Sequence, residues 1–206
     1  MIEIIDSAFL TSAPTIRLAP ENEFQNEVAF MARSNTGKSS LLNTLTQRKS
    51  LAKVSSTPGK TRLINYFDVV FIDRESGEKL SAVLVDLPGF GYAKVAKSLK
   101  SDWESNLTNF VSERKQIRVF VHLIDCRHPD LAIDVSVGEY LREICTPEQH
   151  IVQVYTKIDK LNQKELSVLK KRFPDALMIS NSKRRGVDKI VSTLYGMLRG
   201  EDLCEK

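Results

Sequence analysis

Apolar residues recur along this chain in two patterns that take turns. Val28-Ala29-Phe30-Met31, Leu63–Asp73, Lys79–Asp86, Ile117–Asp125, His150–Tyr155 and Ala176–Ile179 are short stretches dense in apolar residues. Between them, apolar residues fall three and four apart: Leu41, Leu42 and Leu45, then Trp103, Leu107, Phe110 and Val111 within Leu99–Glu113. The same spacing predicts helices over Ala132–Ile144, Lys164–Phe173 and Val187–Leu198. Short apolar runs predict buried strands, and helical spacing predicts amphipathic helices. Strands of this kind alternating with helices predict an α/β fold of three layers, a mostly parallel sheet covered on both faces. Arg74-Glu75-Ser76-Gly77-Glu78 has the composition of a hairpin joining two of the strands. Before residue 26 the pattern is weak. Ile2–Ile5 and Thr15–Leu18 are expected there as short edge strands, punctuated by Pro14 and Pro20.

Ligands of such sheets sit at the carboxyl ends of the strands, and four polar segments fall there. The first is Ala32-Arg33-Ser34-Asn35-Thr36-Gly37-Lys38-Ser39, between a strand and a helix. It fits the phosphate-loop pattern if Ala is allowed at the first position. Free amides at the helix start and the helix dipole suit a polyphosphate. Gly37 lets the backbone approach it, Lys38 would reach the β- and γ-phosphates, and Ser39 would ligate Mg²⁺. Asp86-Leu87-Pro88-Gly89 closes the second strand of the hairpin. A carboxylate there can hold Mg²⁺ through water, and the Gly89 amide can face a γ-phosphate. Thr156-Lys157-Ile158-Asp159 closes another strand. Its Asp can accept from guanine N1 and N2, with the Lys157 stem along the base. Ser180-Asn181-Ser182 closes the last strand, and its amides can meet guanine O6, with Ile179, Ser180 and Asn181 expected among the nucleotide-binding residues. Each segment also has a plain reading, as a helix-opening turn, an Asp-x-Pro-Gly turn, a polar strand end or a Ser-rich cap. Four of them in this order, each after a strand, favour the nucleotide.

Composition narrows the setting. Hydrophobic residues at 42% and charged residues at 27% are those of an ordinary globular domain. No apolar run approaches the ~18 residues of a membrane span. The stretch Met1–Asp6 lacks a basic region ahead of its apolar residues, so no secretory signal is expected. Cys126, Cys145 and Cys204 have no pairing pattern, which suits a reducing cytoplasm, and His122, His128 and His150 lack metal-ligand spacing. The net charge of +4 leans toward a polyanionic partner. Basic residues gather in the long polar loop Arg48–Arg62 (Arg48, Lys49, Lys53, Lys60, Arg62), after Asp86 (Lys94, Lys97, Lys100) and at Lys183-Arg184-Arg185. Aromatics for base stacking are sparse there (Tyr66, Tyr92), so folded RNA suits these clusters better than single strands.

The order of these motifs resembles a translation-factor-class small GTPase, which implies the Ras-like P-loop NTPase fold in one GTPase domain spanning 1–206, core about 26–199. Three stretches are similar to the EngB (YihA/YsxC) family of bacterial GTPases: Arg33-Ser34-Asn35-x-Gly37-Lys38-Ser39-Ser40-Leu41, Ser55–Thr61, and Asp86-Leu87-Pro88-Gly89-Phe90-Gly91-Tyr92-Ala93-Lys94-Val95. The resemblance implies slow hydrolysis of GTP to GDP. It also implies that Gly59, Lys60, Thr61, Arg62 and Leu63 of the first switch loop meet the nucleotide. Thr61 would be the second Mg²⁺ ligand, ordered only with GTP, and Lys38, Thr61 and Gly89 would carry the catalysis. It further implies a role in assembling the large ribosomal subunit, through its precursor and RNA, with septation in cell division also attached to the family. The chain departs from the family at Ala32, normally Gly, where a methyl is expected to crowd the loop. It departs again at Thr36, normally Val, where no harm is expected.

Phe90 stands where Ras-like enzymes carry the Gln that orients the attacking water. A phenyl ring cannot hold water, so intrinsic turnover is expected to be low. In GTPases resembling TrmE, an Asn at the place of Asn35 helps hold a K⁺ ion, so K⁺ is a candidate cofactor. Two other readings stay open: a phosphate-loop kinase or ATPase sharing only the first motif, and a septation scaffold that binds nucleotide without significant turnover. An oligomer is not expected.

Overall fold

The computed structural model describes residues 1–22, 26–47, 63–90 and 107–200. Within them the chain builds one seven-stranded sheet in the order β1-β3-β4-β2-β5-β6-β7. The strands are β1 (Ile2–Ala13), β2 (Glu27–Ala32), β3 (Ile64–Asp73), β4 (Lys79–Asp86), β5 (Ile117–Asp125), β6 (His150–Thr156) and β7 (Leu177–Met178). The helices are α1 (Lys38–Leu45), α2 (helical over 107–113), α3 (Ala132–Ile144), α4 (Gln163–Arg172) and α5 (Val187–Arg199). Strands β4, β2, β5, β6 and β7 pair in parallel, and β3 is antiparallel to both β4 and β1. The carboxyl ends of the five parallel strands therefore share one end of the sheet. The chain order reverses about β2, which has β4 on one side and β5 on the other. Such a reversal opens a crevice beyond the strand ends.

Alternation along the strands assigns the layers. On β5, Val119, Val121 and Leu123 join Leu41, Leu42 and Leu45 of α1 and Ile190, Val191 and Leu194 of α5 in one core. Ile117 and Phe120 join Phe110 and Val111 of α2 and Leu141 of α3 in the core on the opposite face. A third cluster sits beneath α4, where Leu166 and Leu169 meet Ile124 and Tyr155. Helix α4 has a capping box, with Asn162 accepting from the Glu165 amide and Glu165 accepting from the Asn162 amide. At the end of the sheet away from the crevice, Arg114 grips the fully buried Glu27 through two hydrogen bonds of 3.0 and 2.6 Å. That bidentate pair clamps the start of β2 to the turn before β5.

The N-terminal region differs from the sequence expectation. Ile2–Ile5 is the beginning of a twelve-residue strand, and Ile16–Leu18 is a 3-10 turn instead of a strand. Two register shifts against β3, between Ile4 and Asp6 and between Phe9 and Thr11, explain the weak pattern. Each bulge moves later side chains to the other face, so period-two alternation never runs long enough to be read. The hairpin between β3 and β4 forms as expected, with the Gly77 amide bound to the Asp73 carbonyl. Of the expected helix Leu99–Glu113, residues 99–106 lie outside the described residues. No helix among the described residues is long and apolar enough to cross a membrane.

Candidate functional site

The loop between β2 and α1 lies at the mouth of the crevice. Gly37 has φ +107, a left-handed conformation that a side chain would strain, and its carbonyl accepts the Leu41 amide at 2.9 Å to start α1. The amides opening α1 have no partner inside the helix and add the dipole's positive end. Ala32 is fully buried in the core with Phe30, Leu41 and Leu42, and its methyl adds to the packing beneath the loop. Thr36 is also buried, and its hydroxyl has no hydrogen-bond partner among the described residues.

Three successive carbonyls of the loop are held by side chains from the two segments expected to read the base. Lys157 Nζ donates to the Asn35 carbonyl at 2.6 Å. Thr156 Oγ1 donates to the Thr36 carbonyl at 2.7 Å, and Asn181 Nδ2 to the Gly37 carbonyl at 3.2 Å. A peptide plane sets its N–H opposite its C=O. Holding the Thr36 and Gly37 carbonyls therefore turns the Gly37 and Lys38 amides the other way, as donors for a ligand. Lys157 itself is left-handed (φ 61), and its ammonium also bonds Asp125 Oδ2 at 2.9 Å. It is thus a strut between loops, beyond the role of lining a base that its sequence position implied.

Asp86 is buried at the end of β4, ion-paired to Lys38 and within 3.4 Å of Asn65 Nδ2. Leu87 is fully buried, and Pro88 leads into Gly89. A Cβ on Gly89 would stand 3.0 Å from Ser34 Oγ and 3.2 Å from the Ser34 amide, so any side chain here would press on the phosphate loop and force Ser34 to give way. The Phe90 amide donates to the Ala32 carbonyl at 3.1 Å, and the Phe90 carbonyl accepts from the Ser34 amide at 3.4 Å. The Phe90 ring is buried in the α2–α3 core, 6.3 Å from the ring of the fully buried His122. Burial, reinforced by Arg142, lowers the His122 pKa to about 4, so the ring is neutral.

Asp159 lies in the 3-10 turn Ile158–Lys160, with Ile158 buried beneath it. Ser180 Oγ donates to Asp159 Oδ1 at 2.6 Å, and that bond holds the carboxyl below its ordinary pKa. Ser180 is buried, its hydroxyl lies 3.1 Å from that of Ser182, and the Ile179 carbonyl accepts the Ile158 amide. The two segments expected to read the base thus form one unit with a fixed, ionised acceptor.

Expected residues 32–39, 86–89, 156–159 and 179–181 therefore gather at one end of the sheet. Leu63 is exposed just before β3, while Gly59, Lys60, Thr61 and Arg62 lie outside the described residues. So do the basic clusters of 48–62 and 94–100, Tyr92 and Cys204. Two participants escaped the sequence reading. Asp125 ends β5 and is gripped by Arg127 at 2.7 Å and Lys157 at 2.9 Å. Burial opposes its charge, but the hydrogen bonds from Arg127 and Lys157 win and hold it well below the carboxylate range. Its place at a strand's carboxyl end was the available signal. Asp134, in the first turn of α3, pairs with Arg33 and carried no signal at all.

Comparison with known proteins agrees with this geometry. The family model described as a 50S ribosome-binding GTPase matches residues 27–157. The chain is 54% identical to the probable GTP-binding protein EngB of Aliarcobacter butzleri over 198 residues, covering 94% of this chain and 98% of that one. It is 43% identical to the protein of the same name from Wolinella succinogenes, covering 98% and 100%. In fold it resembles a crystal structure of a probable GTP-binding protein engB, with TM-score 0.62, 22% identity, and 84% and 99% of the two chains covered. It also resembles Era of Aquifex aeolicus bound to GDP.AlF4-, with TM-score 0.62, 23% identity, and 87% and 58% covered. A phosphate loop braced by the segments that end β6 and β7, on a sheet of this order and in a chain so close to these relatives, belongs to a GTPase of the EngB family of GTP-binding proteins.

Proposed function

We propose that the chain is a slow, GTP-dependent switch that binds the precursor of the large ribosomal subunit in the cytoplasm, as a single GTPase domain. The observation that carries this reading is the placement of Lys183, Arg184 and Arg185. All three are exposed and lie within the turn that begins at Ser180-Asn181, whose side chains contact Asp159 and the phosphate loop. Basic groups so close to the nucleotide suit RNA phosphates, and their binding would fall steeply with salt. The family model's description as ribosome-binding points to the same partner class. Co-sedimentation with ribosomal particles tests the proposal. Binding is expected to be stronger with GTP than with GDP and to weaken as salt rises. Salt-insensitive binding, equal in both nucleotide states, removes it.

The nucleotide is proposed to sit with its phosphates on residues 32–39 and its base on Thr156–Asp159 and Ile179–Asn181. Lys38 would leave Asp86 for the β- and γ-phosphates. That exchange would free the Asp86 carboxylate to hold a magnesium ion through water, as a hard oxygen acceptor. Ser39 and Thr61 would ligate the ion directly. Among the described residues no group of three or more His, Cys, Asp or Glu could hold a metal. Hydroxyl, water and phosphate ligands suit Mg²⁺, which keeps much of its hydration. The ion would neutralise charge developing between the β- and γ-phosphates.

Turnover is proposed to be low because the Phe90 ring is buried in the core and offers nothing to an attacking water. Asn35, exposed at the loop's left-handed corner with φ 67, is the proposed ligand of an activating K⁺. Turnover is expected to be faster in K⁺ than in Na⁺, and equal rates in the two buffers would rule that role out. The buried Phe90 also favours the second reading, a septation scaffold with negligible turnover. Depletion distinguishes the two: loss of large subunits supports assembly, and normal ribosome profiles with filamentous cells support the scaffold.

A further inference from the structure

Two independent sets of contacts hold the phosphate loop. Its second half, Asn35 to Gly37, hangs from Lys157, Thr156 and Asn181. Its first half is held from the other side. Arg33 Nε donates to Asp134 Oδ2 at 2.9 Å, and the backbone on either side of Arg33 bridges to Phe90. The Asp134 side chain is only 1% exposed, against 22% for Arg33. Its second oxygen, Oδ1, is buried without a hydrogen-bond partner among the described residues. A buried carboxylate with one oxygen unmatched is an expensive way to anchor a helix, and an apolar residue would pack there at less cost. Fold stability therefore does not account for it.

The geometry of Arg33 does. Its guanidinium lies against α3, while its peptide flanks the junction where Gly89-Phe90 docks onto Ala32 and Ser34. We infer that Asp134 is a positioning residue for the γ-phosphate half of the site: through Arg33 it sets how Gly89-Phe90 lies against the phosphate loop. The inference rests on the proposed placement of the nucleotide, with the Gly89 amide on the γ-phosphate. GDP has no γ-phosphate, and the second half of the loop keeps its own three tethers. Loss of Asp134 thus disturbs recognition of GTP and spares GDP. A residue that merely stabilised the fold would affect both nucleotides alike.

The test uses the full chain with Asp134→Asn, which removes the charge and keeps the shape. Affinities for GDP and for a non-hydrolysable GTP analogue are measured by titration in Mg²⁺, together with GTP turnover. The analogue's affinity and the turnover are expected to fall by about tenfold, with GDP affinity unchanged. In an Arg33→Gln background, Asp134→Asn is expected to add nothing further, because the two act as one unit. If Asp134→Asn does not fold, the apolar pair Arg33→Met with Asp134→Leu replaces the buried charges and is read in the same way, by the loss of analogue affinity relative to GDP. Equal losses for both nucleotides, or wild-type binding and turnover in a folded variant, overturn the inference. Wild-type protein without affinity for GTP overturns the nucleotide placement itself.

Discussion

Asp159→Asn is expected to lower GTP affinity by about 10³–10⁵-fold and to create affinity for XTP. The wild-type carboxylate is a fixed acceptor, ionised because Ser180 donates to one oxygen. Guanine offers its N1 proton and exocyclic amino group to such an acceptor. Adenine offers neither, and a site built to hydrogen-bond a partner rejects an analogue lacking it by about 10⁴–10⁵. GTP should therefore outcompete ATP by orders of magnitude, which also excludes a phosphate-loop ATPase. In the Asn variant the amide nitrogen can donate to the 2-oxo group of xanthine, while an amide oxygen accepts less strongly than a carboxylate. Lys157 cannot compensate, because ammonium only donates and its protons are engaged by Asn35 and Asp125. Competition of GTP, XTP and ATP against a fluorescent guanine nucleotide decides the matter. Full GTP affinity in the variant, with no gain for XTP, would place the base elsewhere.

Ser39→Ala and Thr61→Ala are expected to separate the two nucleotide states. Ser39 is the second residue of α1, half-buried beside Lys38, and the ion it is proposed to hold would serve GDP as well as GTP. Its loss should cut Mg²⁺-dependent affinity for GDP and GTP alike, by about tenfold to a hundredfold, with the melting temperature preserved. Thr61 belongs to a loop proposed to close only on the γ-phosphate, so Thr61→Ala should weaken GTP binding and turnover and leave GDP nearly untouched. Titrations of both nucleotides with Mg²⁺ and with EDTA read the difference. Equal loss of GDP affinity from the two substitutions contradicts the assignment.

Much of this molecule was legible from local pattern. The expected strand Ile117–Asp125 has those bounds in the structure, and α3 and α5 differ from expectation by at most a residue. Strands buried on both faces and helices buried on one leave different periodicities, which survive in a single sequence. The site was legible for a related reason. The groups proposed to work there are backbone amides and strand-end side chains, so they must stand in short segments next to the elements that carry them. Phe90 was informative on the same local grounds, since a ring at that place cannot hold a water in any conformation.

What stayed hidden depends on residues far apart in the chain. The length of β1 was set by pairing with β3 across two bulges, and bulges erase the alternation that reveals a strand. That Ala32 packs into the core beneath the loop was also hidden, because side-chain direction follows from packing between β2 and α1. Asp134 lies 101 positions from Arg33, and no spacing rule joins them. The bonds from Lys157, Thr156 and Asn181 to three consecutive carbonyls likewise span 120 residues or more. Sequence by itself determined the family and which polar segments stand at which strand ends, because motif and periodicity are local. Tertiary structure alone decided how the loops brace one another, because such contacts exist only once the sheet has brought its carboxyl ends together.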